Sequence, residues 1–105
     1  MKIIEFDKYY EKLRCGVGNI FTSIRRDVPE NKFKYIPSEI FDVVVNGKSV
    51  CKAKLLSTIH FHNLWYMDMN ILPLLAWDTD GDVDSLVRRY KDDGILLLIF
   101  QKISE

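Results

Sequence analysis

The sequence predicts one α+β domain in which a mixed or antiparallel sheet curls into a small barrel. The predicted elements run helix, strand, hairpin, two helices and strand, so they do not alternate as in a doubly wound sheet. Asn46-Gly47 joins two strand-like segments and predicts a tight hairpin, because both central residues of a type I′ turn need positive φ. Residues 95–100 are a continuous apolar run, which is typical of a buried strand.

A short helix is predicted to follow a strand or extended entry at residues 2–6. Asp7 is a favourable N-cap residue, and its carboxylate favours the positive end of a helix. Large side chains then recur near helical spacing: Phe6, Tyr9, Tyr10 and Leu13. Gly16 and Gly18 are expected to end this helix.

Alternating side chains predict strands in the middle of the chain. Residues 19–25 place Ile20, Thr22 and Ile24 on one face and Phe21, Ser23 and Arg25 on the other. Residues 41–45 and 48–59 flank the predicted hairpin turn. In residues 48–59, Lys52 and Lys54 are expected on one face of the strand, and the other face carries Cys51, Ala53 and Leu55. Residues 27–37 are predicted to be a polar connection.

Helices are predicted between the long strand and the last one. Residues 60–70 fit both helix and strand patterns, and residues 71–77 are predicted to form a short helix with Pro73 in its first turn. Residues 82–91 are predicted to form an amphipathic helix, because apolar side chains recur at i, i+3, i+4 and i+7. These side chains are Val83, Leu86, Val87 and Tyr90.

Composition and charge exclude several classes of protein. The 105 residues are 48% apolar and 29% charged with zero net charge, which argues against a strongly basic nucleic-acid coat protein. No apolar run approaches the ~18 residues of a membrane span, and the N-terminus lacks a secretory pattern. We therefore expect a soluble cytoplasmic protein, in which Cys15 and Cys51 are reduced and buried. Residues 1–55 carry a net charge of +4 and residues 56–105 one of −4, which hints at an anion-facing surface in the first half.

Two patterns resemble metal sites without completing one. His60 and His62 lie on the same side of a strand, but a zinc site needs further ligands that the neighbouring sequence does not supply. The aspartates of residues 78–84 lack the glycine and the glutamate of an EF-hand loop. We therefore expect no metal site, and Asp82 or Asp84 is instead a good N-cap for the helix that follows.

The segment from Gly16 to Arg26 has a composition suited to anion binding. A glycine turn leads into a strand that carries hydroxyl and guanidinium groups near its end. Such groups bind phosphate or carboxylate well, because a guanidinium donates two parallel hydrogen bonds. An exposed strand end with ordinary surface arginines is the alternative explanation.

These segments together resemble the ASCH family of PUA-like domains. Matches to its G-x-K-x-x-T-x-R signature are Gly18, Ser23, Ile24 and Arg25. Residues 41–53 resemble the family's central hairpin, and residues 76–81 running into 84–90 resemble its late helix. The resemblance covers most of residues 2–103. It implies that residues 1–105 are a single ASCH/PUA-like domain, a PUA-like β-barrel with short helices closing its ends.

The resemblance also implies a cleft beside the barrel for RNA or a nucleotide-like ligand. Some relatives remove the acyl group from acetylated cytidine with a lysine, a threonine and a glutamate. Here Ile20 is at the lysine position and Ser23 at the threonine position. Isoleucine cannot supply the ammonium that activates a nucleophile or stabilises an oxyanion.

The resulting expectation is an RNA- or nucleotide-binding module with a basic cleft. Its expected ligand-binding residues are Gly18, Ser23, Arg25, Arg26, Lys52, Lys54 and Trp65. The alternative is a small amidohydrolase-like enzyme acting on acylated cytidine or a related nucleoside. Its candidate catalytic residues are Thr22, Ser23 and Asp78, with His60 or His62 as a possible base. No cofactor is expected, and the expected partner is RNA or a nucleotide-like small molecule.

Overall fold

Five strands and two short helical segments make up the described part of the chain. The structure is a computed structural model and describes residues 2–61 and 94–105. In chain order, the elements are β1 (Lys2–Phe6), a 3₁₀ helix (Glu11–Arg14), β2 (Ile20–Arg26), α1 (Pro29–Lys34), β3 (Ile40–Val45), β4 (Lys48–Phe61) and β5 (Ile95–Ser104).

The five strands form one mixed sheet in the order β1-β3-β4-β5-β2. β1 pairs with β3 in parallel, and the other neighbouring strands are antiparallel. The sheet curls into a half-barrel. The predicted small barrel-like arrangement of mixed strands is therefore confirmed at this level, and its PUA-like identity stays a prediction.

The predicted hairpin joins β3 to β4. Asn46 and Gly47 adopt φ values of 50° and 83°, as a turn with two left-handed residues requires. β4 is 14 residues long, so it pairs with β3 along its first half and with β5 along most of its length. The long strand therefore carries side chains from the hairpin to the far end of the sheet.

A chain of aromatic rings fills the inner face of the sheet, the face that carries the core. Phe100 stacks on Phe21 at 5.3 Å between ring centroids and meets Phe41 edge to face at 5.5 Å. Tyr35 stacks on Phe41, also at 5.5 Å. Each such contact adds about 0.5–1.5 kcal/mol beyond area burial. These rings tie β2, β3 and β5 to the segment that follows α1.

A β-bulge at Leu56 reverses which side chains of β4 face inward. Leu55 pairs with Phe100 and Ser57 pairs with Ile99, so Leu56 is an extra residue without a partner across the ladder. Side chains alternate between faces along a regular strand, and one extra residue shifts this alternation. Odd-numbered residues therefore face inward before the bulge and even-numbered residues after it.

Arg25 connects the two edge strands of the sheet. Its side chain shares the inner face with Leu96, its partner on β5. Its Nη2 donates to the Glu5 carbonyl at 2.9 Å, and its guanidinium lies 5.1 Å from the Phe6 ring centroid. Its Nε also donates to the Tyr35 hydroxyl at 3.4 Å. The Arg25 guanidinium thus links edge strand β2 to edge strand β1 across the curled sheet.

Lys102 secures the 3₁₀ helix to β5. Its buried ammonium donates to the carbonyls of Leu13 and Cys15 at 3.2 and 2.9 Å, and it pairs with Glu105 at 3.3 Å. These carbonyls belong to the end of the 3₁₀ helix and the residue after it, where helical hydrogen bonding leaves acceptors free. The buried lysine therefore satisfies them from the sheet.

The predicted first helix is wrong in extent and in its cap. Only Glu11–Arg14 is helical, as a 3₁₀ turn whose N-cap is Tyr10, and no side chain caps it. Asp7 instead accepts a hydrogen bond from the Tyr10 hydroxyl at 2.8 Å. Phe6 ends β1, where it pairs with Val45 and joins the core. Tertiary packing thereby overrides the local helical spacing.

The predicted polar connection at residues 27–37 contains α1. Pro29 occupies the first turn, Glu30 lies near the N-terminus and Lys34 lies in the last turn. Each placement suits the helix dipole or the missing N–H of proline. The sequence of this segment therefore contains signals for both ends of a helix. The helix is only six residues long, and none of its residues is buried.

The other predictions divide between confirmed strands and undescribed residues. β2, β3, β4 and β5 confirm the predicted strands, and β5 extends beyond residue 100. Both cysteines are free, but the predicted burial is wrong for Cys15, which is half-buried. Cys51 is buried, and this burial raises the pKa of its thiol although Lys102 opposes the shift. The helices predicted at 71–77 and 82–91 lie outside the described residues. Among the described residues, no helix is long and apolar enough to cross a membrane.

Removing the Arg25 guanidinium tests its role as a bridge. We expect Arg25→Ala to lower the free energy of unfolding by about 2 kcal/mol, because charge-assisted hydrogen bonds to two partners are lost. Arg26→Ala, at an exposed neighbouring position, serves as the matched control and should change stability by about 0.5 kcal/mol or less. Urea unfolding followed by circular dichroism measures both. Equal midpoints for the two variants would contradict the bridge.

Candidate ligand site between α1 and the inner face of the sheet

The structure separates the predicted ligand residues onto two faces of the sheet. Lys52 and Lys54 are exposed on the outer face, the face opposite the core. Ser23 is fully buried and shares a row on the inner face with Leu98. Arg25 also faces inward, where it bridges the sheet edges. The four side chains therefore do not line one cleft.

The buried Ser23 hydroxyl is a poor candidate for contact with a ligand. Its Oγ has no hydrogen-bond partner among the described residues. Thr22 is also buried, and it lies on the outer face opposite Ile99. A nucleophile must reach its substrate and a base, and burial keeps both hydroxyls from solvent.

Gly18 lies two residues before β2, and Arg26 is the last residue of that strand. Gly18 adopts a φ of 91°, and its N–H donates to the Lys102 carbonyl at 2.7 Å. It therefore shapes the turn into β2, where a left-handed residue is required. Arg26 is exposed, and its carbonyl accepts a hydrogen bond from Asn31 Nδ2 at 2.8 Å.

Three predicted residues lie outside the part of the chain that the structure describes. These are Trp65, Asp78 and His62. Within residues 2–61 and 94–105, no group of three or more potential metal ligands comes together. Of the two histidines considered as a metal site, only His60 is therefore among the described residues.

A pocket opens where α1 and the segment after it face β4 and β5. We call it the α1 pocket, and its described lining residues are Lys32, Tyr35, Ile36, Pro37, Thr58, His60 and Leu96. Its volume is about 180 Å³, below the ~300–1,000 Å³ of pockets that enclose a drug-sized ligand. It therefore has room for one group of a ligand, such as a planar ring or a phosphate.

The bulge in β4 positions two of these side chains. Thr58 pairs with Leu98 and His60 pairs with Leu96, and both leucines belong to the inner-face core. Without the extra residue Leu56, the regular alternation would turn Ile59 inward instead. The polar character of this wall therefore depends on one irregularity in the strand.

Asp27 holds His60 and Lys32 together beside the pocket. His60 Nδ1 lies 3.2 Å from Asp27 Oδ1, and Lys32 Nζ lies 3.5 Å from the same oxygen. The Asp27 side chain is only 3% exposed, whereas those of His60 and Lys32 are 38% and 48% exposed. A buried carboxylate thus orients two groups that solvent and ligands can reach.

The charge at the pocket comes from one lysine and a neighbouring carboxylate. Among the described lining residues, Lys32 is charged and none is acidic. Its ammonium lies 3.5 Å from Asp27 Oδ1, so the two charges largely offset each other. Lys32 is 48% exposed, so its ammonium can also reach an anionic group of a ligand beside the apolar walls of the pocket.

Sequence reasoning did not identify Asp27, Lys32, Tyr35 or Thr58 as parts of a site. The one available signal was the alternation of lysine and aromatic residues from Lys32 to Tyr35, a pattern found in nucleic-acid-binding surfaces. The contact between Asp27 and His60 could not be read from the sequence. It depends on β5 lying between β2 and β4.

Comparison with models of protein families, with curated proteins and with solved structures found no match to this chain. The resemblance to the ASCH family therefore stays a prediction.

Proposed function

We propose that this chain is a binding module for RNA or a nucleotide-like ligand, and that the ligand binds at the α1 pocket. The observation that carries this proposal is the combination of Lys32 and His60 with the Tyr35 ring around one small opening. Ammonium groups bind phosphate, and aromatic and apolar walls accept a nucleobase. The proposed function is the predicted one, but the proposed site differs from the predicted set of ligand-binding residues: Gly18, Ser23, Arg25, Arg26, Lys52, Lys54 and Trp65.

Each side chain of the pocket has a role in this proposal. The Tyr35 ring stacks on Phe41, and its hydroxyl accepts a hydrogen bond from Arg25 Nε, so the side chain is fixed where it borders the pocket. With Nδ1 directed at Asp27, the Nε2 of His60 is the nitrogen that would meet the ligand. Lys32 is nearly half exposed and would pair with a phosphate outside the pocket.

The charge of the chain sets the expected strength of binding. A zero net charge gives no general attraction to a polyanion, so affinity must come from the few groups at the site. Each phosphate neutralised on a single strand contributes about 0.7 to the slope of log affinity against log salt. One or two such contacts predict a shallow salt dependence.

The pair of His60 and Asp27 favours a second candidate function. A histidine oriented by a buried carboxylate is a common general base. In a small hydrolase acting on acylated cytidine, His60 would take a proton from the water that attacks the acyl carbonyl carbon, while Asp27 stabilises the imidazolium. The imidazolium would then give the proton to N4 of cytosine as the C–N bond breaks, which releases the carboxylic acid and cytidine. Thr58 lines the same pocket, whereas Ser23 is buried without a described partner. In this candidate, His60 and not Ser23 supports the reaction.

Two matched lysine variants test the binding proposal. We expect Lys32→Ala to weaken binding of a fluorescein-labelled oligouridylate about five- to tenfold and to reduce the salt slope by about 0.7, because a phosphate contact is lost. Lys52→Ala removes the same charge from the outer face and should change affinity less than twofold. Fluorescence anisotropy at several salt concentrations measures both. A larger loss for Lys52→Ala than for Lys32→Ala would place the ligand on the outer face.

Acetylated cytidine separates the two candidate functions. If the chain is a hydrolase, we expect release of cytidine that His60→Ala lowers by a factor of about 10²–10⁴, the usual contribution of a general base. Ser23→Ala should retain activity, because its hydroxyl is shielded from the pocket. Chromatographic separation of the nucleosides gives the rate. Activity lost in Ser23→Ala but kept in His60→Ala would contradict the assignment, and no turnover by wild type would leave binding as the function.

A further inference from the structure

An imidazole and an ammonium share one carboxylate oxygen beside the α1 pocket. His60 Nδ1 lies 3.2 Å and Lys32 Nζ lies 3.5 Å from Asp27 Oδ1. The Asp27 side chain is only 3% exposed, so water screens its charge little from these two partners. While the imidazole is neutral, the Lys32 ammonium offsets the carboxylate. The three groups together then carry no net charge.

Protonation of His60 changes this balance. A carboxylate only accepts hydrogen bonds, so a neutral His60 carries its proton on Nδ1 and leaves Nε2 as an acceptor. An imidazolium keeps the contact through Nδ1 and donates from Nε2 as well. Its positive charge also lies closer to Asp27 than the Lys32 ammonium does. The carboxylate is then offset by the imidazolium, and the charge of Lys32 becomes surplus.

The other ionisable groups around His60 do not cancel this change. Arg25 shares the row of Leu96 with His60 across β5, and its Nε donates to the Tyr35 hydroxyl in the pocket wall at 3.4 Å. An imidazole is the side chain that ordinarily changes charge between about pH 5 and pH 8, where a guanidinium stays charged. Among the described groups at the pocket, His60 is therefore the one suited to respond in this range.

We infer that protonation of His60 strengthens the binding of a phosphodiester at the α1 pocket, an inference that rests on the proposed function and adds its regulation by pH. The side chains of Lys32 and His60 are both partly exposed at the pocket. A surplus ammonium charge and a new Nε2–H donor each favour an anion. Affinity for the diester therefore rises as the pH falls. Hydrolysis has the opposite sign, because a general base must be neutral to accept a proton.

The experiment measures the affinity for uridylyl-uridine by isothermal titration calorimetry at about pH 5.5 and about pH 8, on either side of the usual imidazole range. Neither the single diester nor the uracil rings of this probe change charge between these values. We expect wild type to bind about three- to fivefold more tightly at the lower pH, the effect of one partly exposed ion pair. His60→Gln keeps an N–H for Asp27 but takes up no proton, so its two affinities should be equal. His62→Gln changes the other histidine of the chain and is the matched control, which should keep the wild-type difference.

The outcomes separate this regulation from the proposed function. A pH difference that persists in His60→Gln, or that is lost only in His62→Gln, would overturn the role of His60. Equal wild-type affinities at both pH values, with binding that Lys32→Ala still weakens, would overturn the regulation and leave the pocket as the site. No binding at either pH would overturn the proposed function as well.

Proton uptake gives a second test that needs no variant. Wild-type titrations near pH 6.5, in two buffers that differ in ionisation enthalpy, should show that a fraction of a proton is taken up per complex formed. Binding without proton uptake would contradict the role of His60. Circular dichroism at each pH checks that wild type and the variants are equally folded.

Discussion

The guanidinium of Arg25 is the interaction on which both the curl of the sheet and the shape of the site depend. Among the described strands, β1 and β2 are the two edges of the curled sheet, with a gap between them that no backbone pairing of these strands closes. Arg25 spans that gap with hydrogen bonds to Glu5 and Tyr35 and with its position over the Phe6 ring. A planar fork with five donors can serve several acceptors at once, which an ammonium does with less geometric control. Because Tyr35 is also a wall of the α1 pocket, the group that holds the fold also orients the site.

The site further depends on a local break in the regularity of β4. The extra residue Leu56 lets a strand that begins with lysines facing outward end with Thr58 and His60 facing inward. Asp27 follows β2 directly and meets His60 across β5. A pocket with polar groups on one wall, Thr58 and His60, thus forms at one end of an inner face that aromatic and aliphatic side chains otherwise fill. Bulges near functional sites often redirect side chains in this way.

Local patterns predicted the strands well, and tertiary effects account for most of the differences. The alternation in β2, the Asn46-Gly47 turn and the apolar run of β5 are signals within a few residues of one another, and the structure confirms each. The prediction of the first helix was wrong because Phe6 pairs with Val45 in the sheet. The site could not be assembled from the sequence, since the order of strands and the bulge decide which face each residue occupies. The chemistry of Arg25 suited an anion, yet its partners in the fold are two carbonyls, a hydroxyl and an aromatic ring.

The ligand is proposed to bind the α1 pocket on the inner face, and not the outer face that carries Lys52 and Lys54. Backbone amide shifts in ¹⁵N-labelled protein, followed by NMR during titration with uridine monophosphate, distinguish the two faces. We expect the largest shifts at Lys32, Thr58 and His60, which line the α1 pocket. Shifts confined to Lys52 and Lys54 would contradict it, because these residues lie on the opposite face of the same strand.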